Sequence, residues 1–263
     1  MKKFSSILVI SMLAIFLVGG TAMAVPFDPS GSYPQLEELQ GVFDGITQSG
    51  TSSIDVYSDE TQSEIFTPQT SGITSTYVIS ASWAAGDFTF GFYEVGNISN
   101  TLVLFDTSLD YGDPGDSTQV YLDYGSDSMT SYYFPGGTYT VIDTAEYMPL
   151  LGFYGDPVNY GTYYSQSDLN PGAYDRFLTY LAKGDMVDPD GDGNYLNDAG
   201  HWYVAAELWD SLGYDPTKGD YTDIVVQFES ITPAVPEPAT MLLLGSGLIG
   251  LAGLGRRKFF KKS

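Results

Sequence analysis

Phe88-Thr89-Phe90-Gly91-Phe92-Tyr93 alternates, which places Phe88, Phe90 and Phe92 on one face of an extended chain. A period of two is a strand signal, and similar signals lie on either side. On the N-terminal side, residues 72–82 bring Ile73, Tyr77, Val78 and Ile79, followed by Trp83. On the C-terminal side, Leu102-Val103-Leu104-Phe105 is a continuous apolar run and predicts a strand covered on both faces. Gln119-Val120-Tyr121-Leu122-Asp123-Tyr124 and Tyr139-Thr140-Val141-Ile142 alternate again, and Asp113-Pro114-Gly115-Asp116 and Pro135-Gly136-Gly137 mark turns between strands. Ile224-Val225-Val226-Gln227-Phe228-Glu229-Ser230-Ile231 is the clearest strand in the chain. Short strands punctuated by Gly, Pro and Asp predict an all-β fold. The expected form is an antiparallel, jelly-roll-like β-sandwich over residues 72–231.

Composition agrees. Tyrosine (21) and phenylalanine (15) suit pleated strands, and Gly, Asp and Asn suit the turns between them. No repeat of 20–50 residues is visible, which argues against a solenoid or propeller. Residues 25–71 are polar and carry Pro26, Pro29 and Pro34, so they read as a partly irregular N-terminal region. One stretch is open to two readings. Asn170-Pro171-Gly172 could cap a helix running to Gly184, with Phe177, Leu178 and Leu181 at helical spacing, or could turn into a buried strand over 177–182.

The charge is lopsided. Residues 25–235 hold 32 acids against Arg176, Lys183 and Lys218, a net −29. Such a surface repels nucleic acid and anionic lipid and attracts divalent cations. There is no cysteine, so neither a disulfide nor thiol catalysis is available. His201 is the only histidine, which rules out a multi-histidine zinc site and suits a packing or turn residue.

Both ends read as addresses. Lys2 and Lys3, an apolar run over 7–18 and Ala22-Met23-Ala24 have the charged, apolar, small-residue order of a secretory signal peptide, with signal-peptidase cleavage expected after Ala24. The run is about a dozen residues, short of the roughly 20 a membrane span needs. At the far end, Val235-Pro236-Glu237-Pro238-Ala239 is held extended by its prolines. An uncharged stretch over 239–255 follows, then Arg256, Arg257, Lys258, Lys261 and Lys262. At 1.5 Å per residue, that stretch reaches about 25 Å, enough for a short transmembrane helix. The basic residues stop it on the cytoplasmic side. These tail residues (232–263) resemble the PEP-CTERM sorting signal of Gram-negative bacteria. The resemblance implies an exosortase-type protease cutting near Pro236, Glu237 and Pro238. It also implies a transient stay in the inner membrane and release to the cell surface or beyond, in bacteria that make exopolysaccharide.

The sharpest chemical pattern is Asp188-Pro189-Asp190-Gly191-Asp192-Gly193-Asn194. Acids at positions 1, 3 and 5 and glycine at 6 are what an oxygen-lined calcium loop needs, with Asn194 and Asp198 available to complete the shell. Position 12 is Ala199 rather than glutamate, so the pattern is a single calcium loop between strands and not an EF-hand. A second acidic set is Glu207, Asp220 and Asp223. Around it, Tyr163-Tyr164-Ser165, Leu169-Asn170-Pro171-Gly172, Ala206-Glu207-Leu208 and Asp220-Tyr221-Thr222-Asp223 resemble an uncharacterised β-domain family of PEP-CTERM proteins and repeat-bearing adhesins. That resemblance covers about 150–231 and implies the strand reading of 177–182; Leu208 and Thr222 depart from the family's usual acid and asparagine. No catalytic constellation stands out. The expectation is a non-enzymatic, calcium-stabilised surface or matrix protein that binds exopolysaccharide or surface proteins. The alternative is a secreted carbohydrate-active hydrolase using paired carboxylates.

Overall fold

The structure, a computed structural model, describes residues 36–69, 74–81, 87–109, 113–133, 139–208 and 219–234. The signal segment, the tail's apolar run and the processing residues Ala22, Ala24, Pro236, Glu237, Pro238, Arg256, Arg257 and Lys258 lie outside them. Among the described residues no helix is long and apolar enough to cross a membrane.

The chain forms an antiparallel β-sandwich, as its alternation predicts. One sheet contains β1 (Phe66–Pro68), β3 (Phe88–Glu94), β4 (Asn97–Asp106), β8 (Leu151–Pro157), β9 (Tyr163–Tyr164) and β15 (Ile231–Pro233). Its order is β15-β1-β8-β3-β4, with β9 also on β8. The other contains β2 (Thr74–Ala81), β5 (Ser117–Asp123), β6 (Ser128–Tyr133), β7 (Thr140–Glu146), β10 (Phe177–Leu181), β13 (Trp202–Ala206) and β14 (Ile224–Phe228). Its order is β10-β13-β14-β2-β5-β6-β7. A small two-stranded sheet pairs β11 (Met186–Val187) with β12 (Leu196–Asn197).

Phe88, Phe90 and Phe92 do share the inner face, each at most 2% exposed. They join Phe153 from β8 and Phe228 from the facing sheet. Ring centroids lie 6.2 Å apart for Phe90 and Phe153 and 5.0 Å for Phe153 and Phe228. Gly91 breaks this aromatic run because the chains come too close for anything larger. A Cβ there would sit 2.1 Å from the Leu102 carbonyl oxygen.

β4 is an edge strand whose backbone is closed by side chains of the facing sheet. Thr118 Oγ1 donates to Leu104 O (2.9 Å), Ser131 Oγ donates to Val103 O (2.6 Å), and Asp143 Oδ2 accepts the Val103 N–H (3.0 Å). The apolar run 102–105 is therefore covered more fully at Leu102, Leu104 and Phe105 than at Val103, which is half-buried.

Two features differ from the sequence reading, and one open reading is decided. First, Leu36–Ile46 is an α-helix, α1, inside the region read as polar and partly irregular. Leu36, Leu39 and Phe43 form its buried stripe, at the i, i+3, i+7 spacing of an amphipathic helix. With Ile54 and Val56 they build a second core on the outer face of the seven-stranded sheet, against Ile79, Leu178, Tyr180, Tyr203, Ala205 and Val225. β13 and β14 thus have apolar cores on both faces, and all ten of their residues are buried. Second, of the two readings of 170–184 the strand holds: single 3-10 turns at Ser167–Leu169 and Pro171–Ala173 lead into β10. Third, 224–231 is not one strand. Ser230 has φ +58°, and there the chain leaves β14 and crosses to the other sheet as β15.

Candidate functional site

The acidic loop is held at both ends by secondary structure. β11 and β12 clasp it through the pair Val187 and Leu196. The Asp188 N–H donates to Ile46 O (2.9 Å), and the Gln48 N–H donates to Met186 O (2.9 Å), so the loop is tied to the C-terminal end of α1. Inside, carboxylates organise the backbone. Asp188 accepts the N–H groups of Asp192 (3.1 Å) and Gly193 (2.9 Å), and Asp192 accepts both the backbone and the amide N–H of Asn194 (2.7 Å each). Gly191 and Gly193 take φ +69° and +87°, which lets the chain turn this tightly. A neighbouring turn at 113–116 packs on the loop, and Gly115 is needed there: at φ +93° a Cβ would lie 2.9 Å from the Asp190 carbonyl oxygen.

The result is a convergence of charge. Asp188, Asp190 and Asp192 each bring a carboxylate oxygen within 4.8 Å of the others, and no other three acids or histidines among the described residues do so. Burial, and after it the carboxylates of Asp192 and Asp188, raise the pKa of Asp190; hydrogen bonds from the Asn194 side chain and backbone lower that of Asp192. Asn194 stays with the loop. Asp198 does not: it is buried, and its carboxylate accepts the Gly184 N–H and the Tyr203 hydroxyl, both at 2.8 Å. It fastens the base of the loop to β13 instead of completing an ion's shell.

Glu207, Asp220 and Asp223 occupy the far end of β13 and β14, and their oxygens serve the backbone. Asp223 accepts the Leu208 N–H (2.6 Å), Glu207 accepts the Tyr221 N–H (3.4 Å), and Asp220 accepts the N–H (3.1 Å) and hydroxyl (3.0 Å) of Thr222. Glu207 is pushed up to about 8 by burial and then by the charges of Asp223 and Asp220. Arg176, itself buried, opposes this and sits 4.5 Å over the Tyr163 ring. Asp175, next to it, is also pushed up to about 8 by burial. Leu208 is fully buried, and a Cβ on Gly155 would lie 2.4 Å from it.

Sequence reading passed over Arg176 and Asp175, because nothing local marks a buried ion cluster. The one signal was that Arg176 is one of three bases in an acidic stretch. His201 is a packing residue, its Nε2 3.4 Å from Glu229 Oε1.

Residues 234–258 match the family model described as the PEP-CTERM protein-sorting motif. The chain carries that sorting motif. PEP-CTERM tails imply export, membrane-associated sorting at the C-terminus and processing by an exosortase-type enzyme. No curated protein and no solved structure matches the chain. The PEP-CTERM match covers the tail and does not extend into the sandwich, so the chemistry of the sandwich is argued from its own geometry.

Proposed function

We propose that the protein is a non-enzymatic surface or extracellular-matrix component. In this reading its acidic sandwich is stabilised by calcium at Asp188, Asp190 and Asp192, and it meets exopolysaccharide or neighbouring surface proteins after sorting. The observation that carries the calcium reading is the 4.8 Å convergence of three carboxylates. Oxygens about 2.4 Å from a calcium ion can lie at most about 4.8 Å apart, so the triplet fits one ion. Lys183, the basic residue nearest in sequence, pairs with Asp59 instead. A signal peptide removed at Ala24 and release at the cell surface complete the route.

Two observations support a non-enzymatic role. The carboxyls raised to about 8, Asp175 and Glu207, are buried and bonded to backbone. Neither lines the 260 Å³ cavity bordered by Asp87, Asp106 and Asp156, nor the trough on the other sheet described below. The motifs of the β-domain family act as structural clips, which supports assigning residues 150–231 to it. Asn170 bonds both the N–H and the carbonyl of Tyr164 and the carbonyl of Tyr174, while Glu207 and Asp223 close β13 against β14.

Calcium is tested by melting the purified exported protein with calcium and with chelator. At about 100 times Kd an ion bound only by the native state adds about 2.7 kcal/mol, or about 5–10 °C for a domain of this size. Asp190→Asn should abolish most of that shift. A midpoint indifferent to calcium, or an equal shift in the variant, sinks the calcium reading. Alanines at Pro236, Glu237 and Pro238 should leave the tail unprocessed in the host.

A further inference from the structure

α1 and the segment after it cover the outer face of the seven-stranded sheet only over β10, β13, β14 and β2. Among the described residues, none of this second core lies over β5, β6 or β7. Val120 and Leu122 enter the core at 1% and 2% exposure, which turns Gln119 and Tyr121 outward; Ser131, fully buried, turns Tyr132 outward in the same way. Register sets Gln119 opposite Tyr132. Tyr139, just ahead of β7, meets the Tyr132 ring edge-on, with centroids 6.0 Å apart at 86°. Among the described residues these four line a trough of about 350 Å³.

Its walls are phenol rings, with one unsatisfied polar atom. Gln119 Oε1 is buried and has no hydrogen-bond partner. A buried acceptor left unpaired is costly, so a ligand O–H or N–H that meets the Gln119 amide once it turns into the trough recovers a lost interaction as well as covering the rings.

We propose that this trough binds a sugar ring of a neutral glycan. The C–H face of a pyranose lies on a tyrosine ring while a hydroxyl donates to Gln119 Oε1, and the volume is at the small end of ligand sites, about 300–1,000 Å³. Other ligands fit less well. A proline-rich strand brings carbonyls and few donors, so it leaves Gln119 unpaired. A quaternary ammonium group wants rings around a cation, whereas Tyr132 and Tyr139 touch each other edge-on and no carboxylate is among the described lining residues. An anionic glycan faces the repulsion of a net −29 segment. The inference rests on the surface-protein reading only for where such a glycan is met.

The test is calorimetric titration of the purified full-length protein in mild detergent. The neutral probes are laminariheptaose, maltoheptaose and chitohexaose, set against an alginate hexamer, decaproline and choline. At least one neutral glycan should bind and the other three should not. Tyr132→Leu should weaken binding about tenfold and Gln119→Leu about fivefold, with unchanged melting midpoints. If Tyr132→Leu does not fold, the half-exposed Tyr121→Leu replaces it. No neutral glycan binding, wild-type affinity in both variants, or preference for alginate, decaproline or choline overturns the proposal. Calcium stabilisation and tail processing are read separately, so their success with no glycan binding removes this site and leaves the rest.

Discussion

Glu207 lies between the Tyr221 N–H and the negative charges of Asp223 and Asp220, at 5% exposure. A Cβ on Gly219 would come 2.3 Å from its Oε2, so the carboxyl is enclosed by backbone. Its folded pKa, about 8, is above the ordinary 4.5. The folded protein therefore holds this proton more tightly than the unfolded chain. The associated stability is complete below about 4 and lost as pH rises through about 8. Glu207→Gln is neutral at every pH. It should melt close to wild type at pH 5 and above it at pH 9; a variant that melts lower by the same margin at both would show that the charge is not the cost. Tyr203 tests the opposite case. Its hydroxyl donates to Asp198 and accepts from Gln227 Nε2 (3.0 Å). Tyr203→Phe strands both buried groups and should cost about 1–3 kcal/mol in a denaturant melt at pH 7, and less as pH falls through the Asp198 pKa, which burial raises. Asp188, Asp190 and Asp192 were legible in sequence because their convergence is local, two residues apart in one loop. The roles of Asp198 and Glu207 were not legible, because their partners Tyr203 and Tyr221 reach them only through the folded sheet.

Between elements, the change of direction from β14 to β15 decides how the sandwich closes. Val204 and Val226 face the inter-sheet core, and Ala205 and Val225 face the α1 core. The chain must then leave one sheet at Phe228 and enter the other at Ile231. Ser230 makes that step at φ +58°, a conformation that costs an L-residue about 1–2 kcal/mol. Ser230→Gly should hold or raise the melting midpoint, and Ser230→Val should lower it, since a β-branched side chain fits this region worst. A harmless valine would mean that the turn relaxes freely. The sequence run 224–231 looks like one strand because its apolar pattern continues across the turn; nothing in the pattern says that its two ends serve different sheets. The strands at 88–94, 117–123 and 151–157 differ in kind. Alternation alone marks the first two, since one face meets solvent or the facing sheet. The last, with Gly152 and Gly155 making room for Tyr93 and Leu208, carries no alternation to read. α1 escaped for another reason: Leu36, Leu39, Val42, Phe43 and Ile46 do recur at helical spacing, but Gly41, Gly45 and the polar residues Glu37, Glu38, Gln40 and Asp44 between them give the stretch the composition of a linker.

Across the whole molecule, charge and burial together set a pH profile. Burial raises Asp175 and Glu207 to about 8, and also raises Glu60, Asp190 and Asp198, each largely through lost hydration. Each adds stability that is lost as pH climbs from the ordinary carboxylate range through its folded value. Asp59, Asp123, Asp185 and Asp192 are lowered by hydrogen bonds, and Lys183 adds its charge beside Asp59 and Asp185. Their contribution is present above the ordinary carboxylate range and lost as pH falls through their folded values. Self-repulsion of a net −29 segment acts with the first group, because it grows as acids ionise. The two sets cross between them, so the melting midpoint in chelator should peak near about pH 5 and decline towards pH 9. Added sodium chloride should raise the midpoint more at pH 8 than at pH 5, by screening the repulsion. A midpoint that climbs steadily from pH 5 to 9 would contradict the direction of the buried shifts. Calcium bears on the same balance. On the proposed reading the ion competes with protons for Asp188, Asp190 and Asp192 and removes repulsion among them, so its stabilisation should be larger at pH 8 than at pH 5. In saturating calcium the decline above pH 5 should therefore flatten in wild type and persist in Asp190→Asn. A decline equally steep with and without the ion would separate the loop from the molecule's electrostatics, and leave burial at Asp175 and Glu207 as its source.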